Sequence, residues 1–315
     1  MRRKAIIISI SGPKLTSKEK LLMSKEKPWG VILFKRNIIN FKQTIRLTKS
    51  IRKIMKDKKY PILIDEEGGY ITRLSSLIDN KFFPQKIFGT LYKKNKNFSY
   101  ALYNNYIRTI SKFLQKLGIN INTVPVLDLS HKYTHKIIGK RSFSDKVDIV
   151  KKLGSFCIKS YKENKISTVV KHIPGHGRAT CDSHLKLPKI TTSLSKLNKS
   201  DFKCFENTNS HFAMTAHILF EKIDKKNVVT FSKKVISDLI RKKLKFKGIL
   251  ISDDISMKAL KYDIVTNAKK SLEAGCNLTL YCAGNYNESL KLLKVIPFLD
   301  TFTQKKTSEF YEFLS

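Results

Sequence analysis

The sequence is poor in acidic residues, in paired cysteines and in long apolar runs. Only 25 of its 315 residues are Asp or Glu, against 62 Lys or Arg, for a formal net charge of +37 at pH 7. An imbalance of that size bears on partners and not on fold. It fits a polyanion held by clustered Lys and Arg, and it fits equally a compositional drift that has laid lysine on permissive surface positions. The five cysteines (Cys157, Cys181, Cys204, Cys276, Cys282) are an odd set without a C-x-x-C pair, which argues against a disulfide framework and a structural zinc site and in favour of reduced thiols in packing positions. No apolar run approaches the roughly 18 residues of a transmembrane helix, and the stretch 5–10 behind Met-Arg-Arg-Lys is too short for a signal-peptide core. A cytoplasmic protein without a membrane partner is expected. No Pro/Gly/Ser-rich linker, internal repeat or low-complexity tract divides the chain, and the basic tail after Gln304 is its only weak edge.

What is present can fold. With 41% hydrophobic and 10% aromatic residues the chain can bury a sizeable core, and its length suits one large α/β domain or two ordinary ones. Short β-branched apolar runs predict strands at 5–10, 31–34, 62–65, 120–124, 168–172, 212–215, 248–252 and 278–282. Between them, apolar residues at helical spacing predict helices that include 41–56, 100–117, 145–164, 232–244 and 258–274, with Ser232 as an N-cap and Gly118 and Gly275 as C-terminal glycines. An open doubly wound sheet and a closed parallel barrel both match this alternation. The distribution of polar residues separates them. Arg36-Asn37, Asp65 to Gly69, Pro125 to Asp128, Lys171-His172, His217 and Asp253-Asp254 follow nearly every strand, as a (β/α)8 TIM-like barrel with its chemistry at the C-terminal strand ends requires. A single barrel domain over residues 1–315 is expected.

Three segments carry chemistry. Residues 170–184 hold three of the seven histidines, His172, His176 and His184, with Lys171 and Asp182. A metal site on His172 and His176 needs a helix that Pro174 and Gly175 would break, and no Gly-Lys-Ser/Thr follows the glycines as in a phosphate loop. A glycine-hinged loop carrying His184 as an acid/base, oriented by Asp182 two residues earlier, uses every residue type present. The strand ending in Ser252-Asp253-Asp254 puts a carboxylate at the barrel mouth. Neighbouring side chains on an extended backbone face opposite ways, so one aspartate is the inward nucleophile and the other orients the turn, unless both merely complement a helix dipole. In Asp65-Glu66-Glu67-Gly68-Gly69, the glycines allow a tight turn that brings Asp65 and Arg73 to one rim, where they suit vicinal sugar hydroxyls. Asp65 with Arg73, Asp128 and Arg141 are each also ordinary as structural ion-pair residues.

Together these motifs resemble glycoside hydrolase family 3, and within it the single-domain β-N-acetylglucosaminidases of peptidoglycan recycling. The likeness runs from Val31 to about Cys282 through Gly30-Val31-Ile32-Leu33-Phe34 with Arg36-Asn37, Ile64 to Gly69, Pro125-Val126-Leu127-Asp128, Ile138-Gly139 with Arg141-Ser142-Phe143, Lys171-His172-Ile173-Pro174-Gly175-His176-Gly177, Asp182-Ser183-His184 and Ser252 to Met257. The resemblance implies a retaining, two-step mechanism through a covalent glycosyl-enzyme. Asp253 is then the nucleophile, His184 the proton donor and acceptor, and Asp182 its partner. Asp65, Arg73, Arg141, Lys171 and His172 are implied to bind the N-acetylglucosamine ring, with Asp128 and His217 in support. No metal and no cofactor are implied. The expected partner is a small carbohydrate, a muropeptide or N-acetylglucosaminyl disaccharide, acted on by a monomer with no specific nucleic acid. Transfer to phosphate on the same scaffold, and a decayed barrel that binds anionic surfaces, are the alternatives. The sequence departs from the pattern at Glu66, where glutamine is usual, at Tyr70 in place of arginine, at Lys140 in place of an acid, and at Ile173 in place of an aromatic. No second sandwich domain is expected after the last barrel helix.

Overall fold

A computed structural model describes residues 2–181 and 186–315. Its strands are β1 (Lys4–Ile8), β2 (Pro28–Leu33), β3 (Ile62–Ile64), β4 (Ile121–Asn122), β5 (Ser167–Ile173), β6 (Lys189–Ile190), β7 (Phe212–Thr215), β8 (Leu219–Phe220), β9 (Ile249–Asp254) and β10 (Leu278–Tyr281). Eight of them close into a parallel barrel in the order β1-β2-β3-β4-β5-β7-β9-β10, with β10 pairing back onto β1, while β6 and β8 form a separate small sheet. All eight strands expected from the sequence are therefore barrel strands. Their residues are buried along almost their whole length, which is why they read as continuous β-branched runs and not as alternating ones. β4 is only two residues long, and Val124 N–H turns back to the Asn122 carbonyl at 2.9 Å just before Pro125. Pairing resumes just beyond it, where Leu127 N–H donates to the Lys171 carbonyl at 2.8 Å.

The helices wrap the outside and turn an apolar stripe inward. In Phe41–Met55 the buried residues are Thr44, Leu47, Thr48, Ile51 and Met55, the i, i+3, i+4, i+7 spacing of a core-facing helix. Gly118 and Gly275 end their helices at φ 74° and 113°, a left-handed conformation that favours glycine. The Ser232 hydroxyl accepts from Val235 N–H at 3.1 Å, as an N-cap should, although the following helix, Val235–Lys243, is wound as a π-helix. One helix is shorter than expected. The apolar spacing of 258–274 predicts one helix, but it begins only at Ile264, capped by Asp263; the residues before it form a turn held by Asp254.

The last helix, Thr301–Phe313, packs at the N-terminal end of the barrel. Phe310 is fully buried against Trp29 and Phe212, with ring centroids 6.3 and 5.2 Å away, and the Trp29 indole donates to Thr307 at 3.0 Å. Each such aromatic contributes about 2–3 kcal/mol by leaving water. The opposite end stays open, and it carries the polar strand ends.

Candidate active site

The site begins where β3 ends. On an extended backbone, alternate side chains share a face, so Asp65 and Glu67 turn toward the barrel axis while Glu66 turns away. Asp65 accepts from Arg73 at 3.1 Å, from Lys171 at 3.3 Å and from the Thr123 hydroxyl. Burial alone would raise its pKa, but Lys171, Arg73 and Thr123 outweigh that and hold it well below the usual carboxylate range. Glu67, 1% exposed, takes a forked pair of bonds from Arg141 at 2.8 and 2.9 Å and an ion pair from Lys171 at 2.6 Å. Burial opposes ionisation here too, yet the two cations pull the carboxyl down to about 2.

Glu66, on the other face, organises the loop. It accepts from the backbone N–H groups of Arg73 and Leu74 at 2.8 and 2.9 Å, from the Thr72 hydroxyl at 3.2 Å and from the Asn80 amide. None of these donors is a cation, and burial raises its pKa despite all four. Gly68 and Gly69 lie at φ 81° and 66°, and the expected tight turn does bring Arg73 back onto Asp65.

β5 supplies Lys171 and His172, joined by a cis peptide. Asp128 lies beneath them, fully buried: its carboxylate accepts from His172 Nδ1 at 2.7 Å, His172 N–H at 3.2 Å and His176 N–H at 2.6 Å. Burial pushes the Asp128 carboxyl up, and the charge and hydrogen bond of His172 bring it below its ordinary value. The ring of His172 thus presents Nε2 toward the cavity, 3.4 Å from Arg141 Nη2. His176 is buried, and desolvation with the nearby His172 lowers its pKa to about 4, so at neutral pH the ring is uncharged. Gly177 packs where a Cβ would stand 1.7 Å from the Leu129 carbonyl oxygen.

β9 carries the aspartates. Asp253 and Asp254 both border the cavity, but Asp254 is committed to the turn, accepting from Ser256 N–H at 3.1 Å, the Ser256 hydroxyl at 2.7 Å and Cys282 N–H at 3.1 Å. Burial raises its pKa. His217, fully buried, donates from Nε2 to the Asp254 carbonyl at 2.9 Å, which leaves Nδ1 to accept from Thr230 at 2.7 Å. Burial lowers the His217 pKa, so a neutral ring braces the strand end.

These groups enclose a cavity of about 140 Å³, room for one pyranose ring. Asp65, Arg73, Arg141, Lys171, His172 and Asp253 line it, Asp128 and His217 stand one layer behind, and Phe34, Met214, Met257 and Leu280 give an apolar wall. Asp182 and His184 lie outside the described residues. Glu67 and His176 also line the cavity and were not in the expected set. Glu67 was legible from the alternation that puts it on the face of Asp65, and His176 from its place four residues after His172. Among the described residues no group of three or more His, Cys, Asp and Glu is arranged to hold a metal ion; the carboxylates are met by Lys171, Arg73 and Arg141.

Comparison with known proteins identifies the family. Residues 4–307 match the glycosyl hydrolase family 3 N-terminal domain. A beta-hexosaminidase of Nitrosomonas eutropha is 29% identical over 282 residues, covering 88% of this chain and 80% of that protein, and one from Haemophilus influenzae is 31% identical over 288 residues, covering 88% and 79%. NagZ from Neisseria gonorrhoeae, solved with N-trifluoroacetyl-D-glucosamine, superposes with a TM-score of 0.88 at 26% identity over 100% of this chain and 90% of its own. A family 3 beta-N-acetylglucosaminidase from Paenibacillus gives 0.86 at 25% identity over 98% of this chain, which spans 60% of that enzyme. With the family domain matched over nearly the whole barrel, the chain belongs to glycosyl hydrolase family 3 and is a glycoside hydrolase.

Proposed function

We propose that this family 3 hydrolase is a retaining β-N-acetylhexosaminidase that removes non-reducing terminal β-linked N-acetylglucosamine from peptidoglycan fragments. The observation that carries the reading is Asp253 at the end of β9, across one sugar-sized cavity from Asp65, Arg73, Lys171, Arg141 and His172. Those groups offer charged donors and acceptors for ring hydroxyls and an amide. The beta-hexosaminidase name of the relatives supports the sugar.

Asp253 attacks the anomeric carbon as His184 gives a proton to the leaving oxygen; His184 then takes a proton from water, which releases the sugar with its configuration retained. A histidine, with an unperturbed pKa of about 6.5, can serve both half-reactions near neutral pH. Asp182 would orient it.

The test is turnover of a chromogenic N-acetyl-β-glucosaminide, with the anomer of the first product read by NMR. Loss of at least about a hundredfold in kcat in Asp253→Asn and in His184→Ala is expected. Unaltered turnover in both variants, or an inverted first product, sinks the assignment. A phosphate-dependent reaction yielding sugar 1-phosphate would move the chain to phosphorolysis on the same residues.

A further inference from the structure

We infer that Phe34 is a positioning residue for Arg73: its ring fixes the plane of that guanidinium, so that capture of the terminal sugar depends on an apolar side chain at the end of β2. The inference rests on the exo-glycosidase reading above.

Arg73 and Arg141 both line the cavity, and they are held differently. Arg141 donates a forked pair of bonds to Glu67 at 2.8 and 2.9 Å, which fixes a guanidinium in plane and in direction. Arg73 donates to one side chain, from Nη2 to Asp65 at 3.1 Å, and its buried Nε has no hydrogen-bond partner among the described residues. A planar fork held at one prong can still swing about it. The second restraint on Arg73 is the ring of Phe34, whose centroid lies 5.1 Å from Cζ, within the range of a cation–π contact.

The ring is placed in turn by the barrel, where β1 pairs with both β2 and β10. Phe34 N–H donates to Asn37 Oδ1 at 2.9 Å, and Asn37 Nδ2 donates to the Ile10 and Gly12 carbonyls at 3.1 and 2.9 Å. Arg36 lies against the same ring, 4.9 Å from its centroid. It donates to the Ile10 carbonyl at 3.1 Å, the Ser9 hydroxyl at 2.7 Å and the Cys282 carbonyl at 2.6 Å. Two cations thus share one aromatic ring. Arg36 has its donors taken by the ends of β1 and β10, whereas Arg73 keeps donors for a sugar hydroxyl.

The test replaces Phe34 with its mono-, di- and trifluorinated analogues, which keep the shape of the ring and weaken its negative face in steps. Turnover of the chromogenic N-acetyl-β-glucosaminide should fall with each step, to a total of about fivefold in kcat/KM and mainly through KM. Phe34→Leu should lose about tenfold, and Phe34→Tyr should recover most of it. In an Arg73→Gln background, where no guanidinium is left to hold, Phe34→Leu should cost less than about twofold. Indifference to fluorination overturns the proposal. So does the full loss persisting in Arg73→Gln, which would make Phe34 a surface for the sugar itself; both results leave the glycosidase reading standing. If Phe34→Leu does not fold, the fluorinated series in the wild-type and Arg73→Gln backgrounds decides in its place. Absence of turnover by the wild-type enzyme overturns the proposal and the glycosidase reading together.

Discussion

Replacing Glu67 by Gln removes one negative charge from a position 1% exposed, where Arg141 and Lys171 converge. The carboxyl sits at about 2 in the folded protein against an ordinary 4.5. At 1.36 kcal/mol per pH unit, that difference amounts to about 3 kcal/mol of stability, the low end of what breaking a buried ion pair costs. A depressed carboxyl contributes fully above its unfolded pKa and loses that contribution as the pH falls toward its folded one. The wild-type protein should therefore melt about 5–10 °C above Glu67→Gln at pH 7, and the gap should narrow below about pH 4.5. Activity falls with it, because Arg141 loses the fork that aims it at the cavity; a drop of about a hundredfold in kcat/KM is expected.

Glu66→Gln is the control, with the opposite sign. Burial raises the Glu66 carboxyl and no cation offsets it, so its ionised form is a burden above its folded pKa. A glutamine keeps an acceptor for Arg73 and Leu74. Its NH₂ can be met by Asn80 Oδ1, which is buried without a hydrogen-bond partner and can turn by an amide flip. Glu66→Gln should melt at or above the wild-type temperature at pH 7, with the difference shrinking as the pH falls. Thermal melts of the three proteins from pH 3.5 to 7.5 decide the matter. A pH-independent gap for Glu67→Gln, or equal damage from the two substitutions, refutes the account.

Asp128→Asn leaves the His172 ring without its charged partner; about 2–3 kcal/mol of stability should be lost in urea unfolding, with a drop of about tenfold in kcat/KM. Gly177→Ala forces a Cβ to within 1.7 Å of the Leu129 carbonyl oxygen. It should cost more than about 3 kcal/mol or displace the segment before His184, read as loss of both melting temperature and turnover.

The barrel was legible because its strands are short apolar runs and nearly every one is followed by polar residues. Asp65, Asp128, Lys171-His172 and Asp253 fall at strand ends, and a strand end in a barrel leaves few places for a side chain to go but the mouth. Legibility failed where long-range contacts overrule local pattern. Ala259 and Leu260 fall within the expected helix 258–274, yet they are buried in a turn that precedes Ile264. Asp254 holds that turn by accepting from Ser256 and from Cys282, 28 residues away. No local pattern encodes that second bond. Glu67 was legible but was passed over for a different reason. In an Asp-Glu-Glu run the three acids look alike by composition, and only the period-2 alternation separates Asp65 and Glu67, facing the cavity, from Glu66, facing the loop.

The scarcity of acid bears on which of these residues do work. If lysine has spread over permissive positions, the 25 remaining acids should be concentrated at positions that do not permit replacement. Six of them, Asp65, Glu66, Glu67, Asp128, Asp253 and Asp254, belong to the site or to the loop that shapes it. Others have fixed tasks elsewhere. Glu19 closes the capping box with Thr16, Asp263 and Asp300 cap helices, Asp57 pairs with the buried Arg3, and Asp201 accepts from the buried Arg178 at 2.7 Å. Exposed helical pairs such as Asp238 with Lys242 contribute little. An imbalance that first suggests a polyanion partner thus serves as a filter. Against a background of 62 basic residues, a buried acid identifies a position where a negative charge, an N-cap acceptor or a nucleophile is required, and the densest cluster of such positions is the mouth of the barrel.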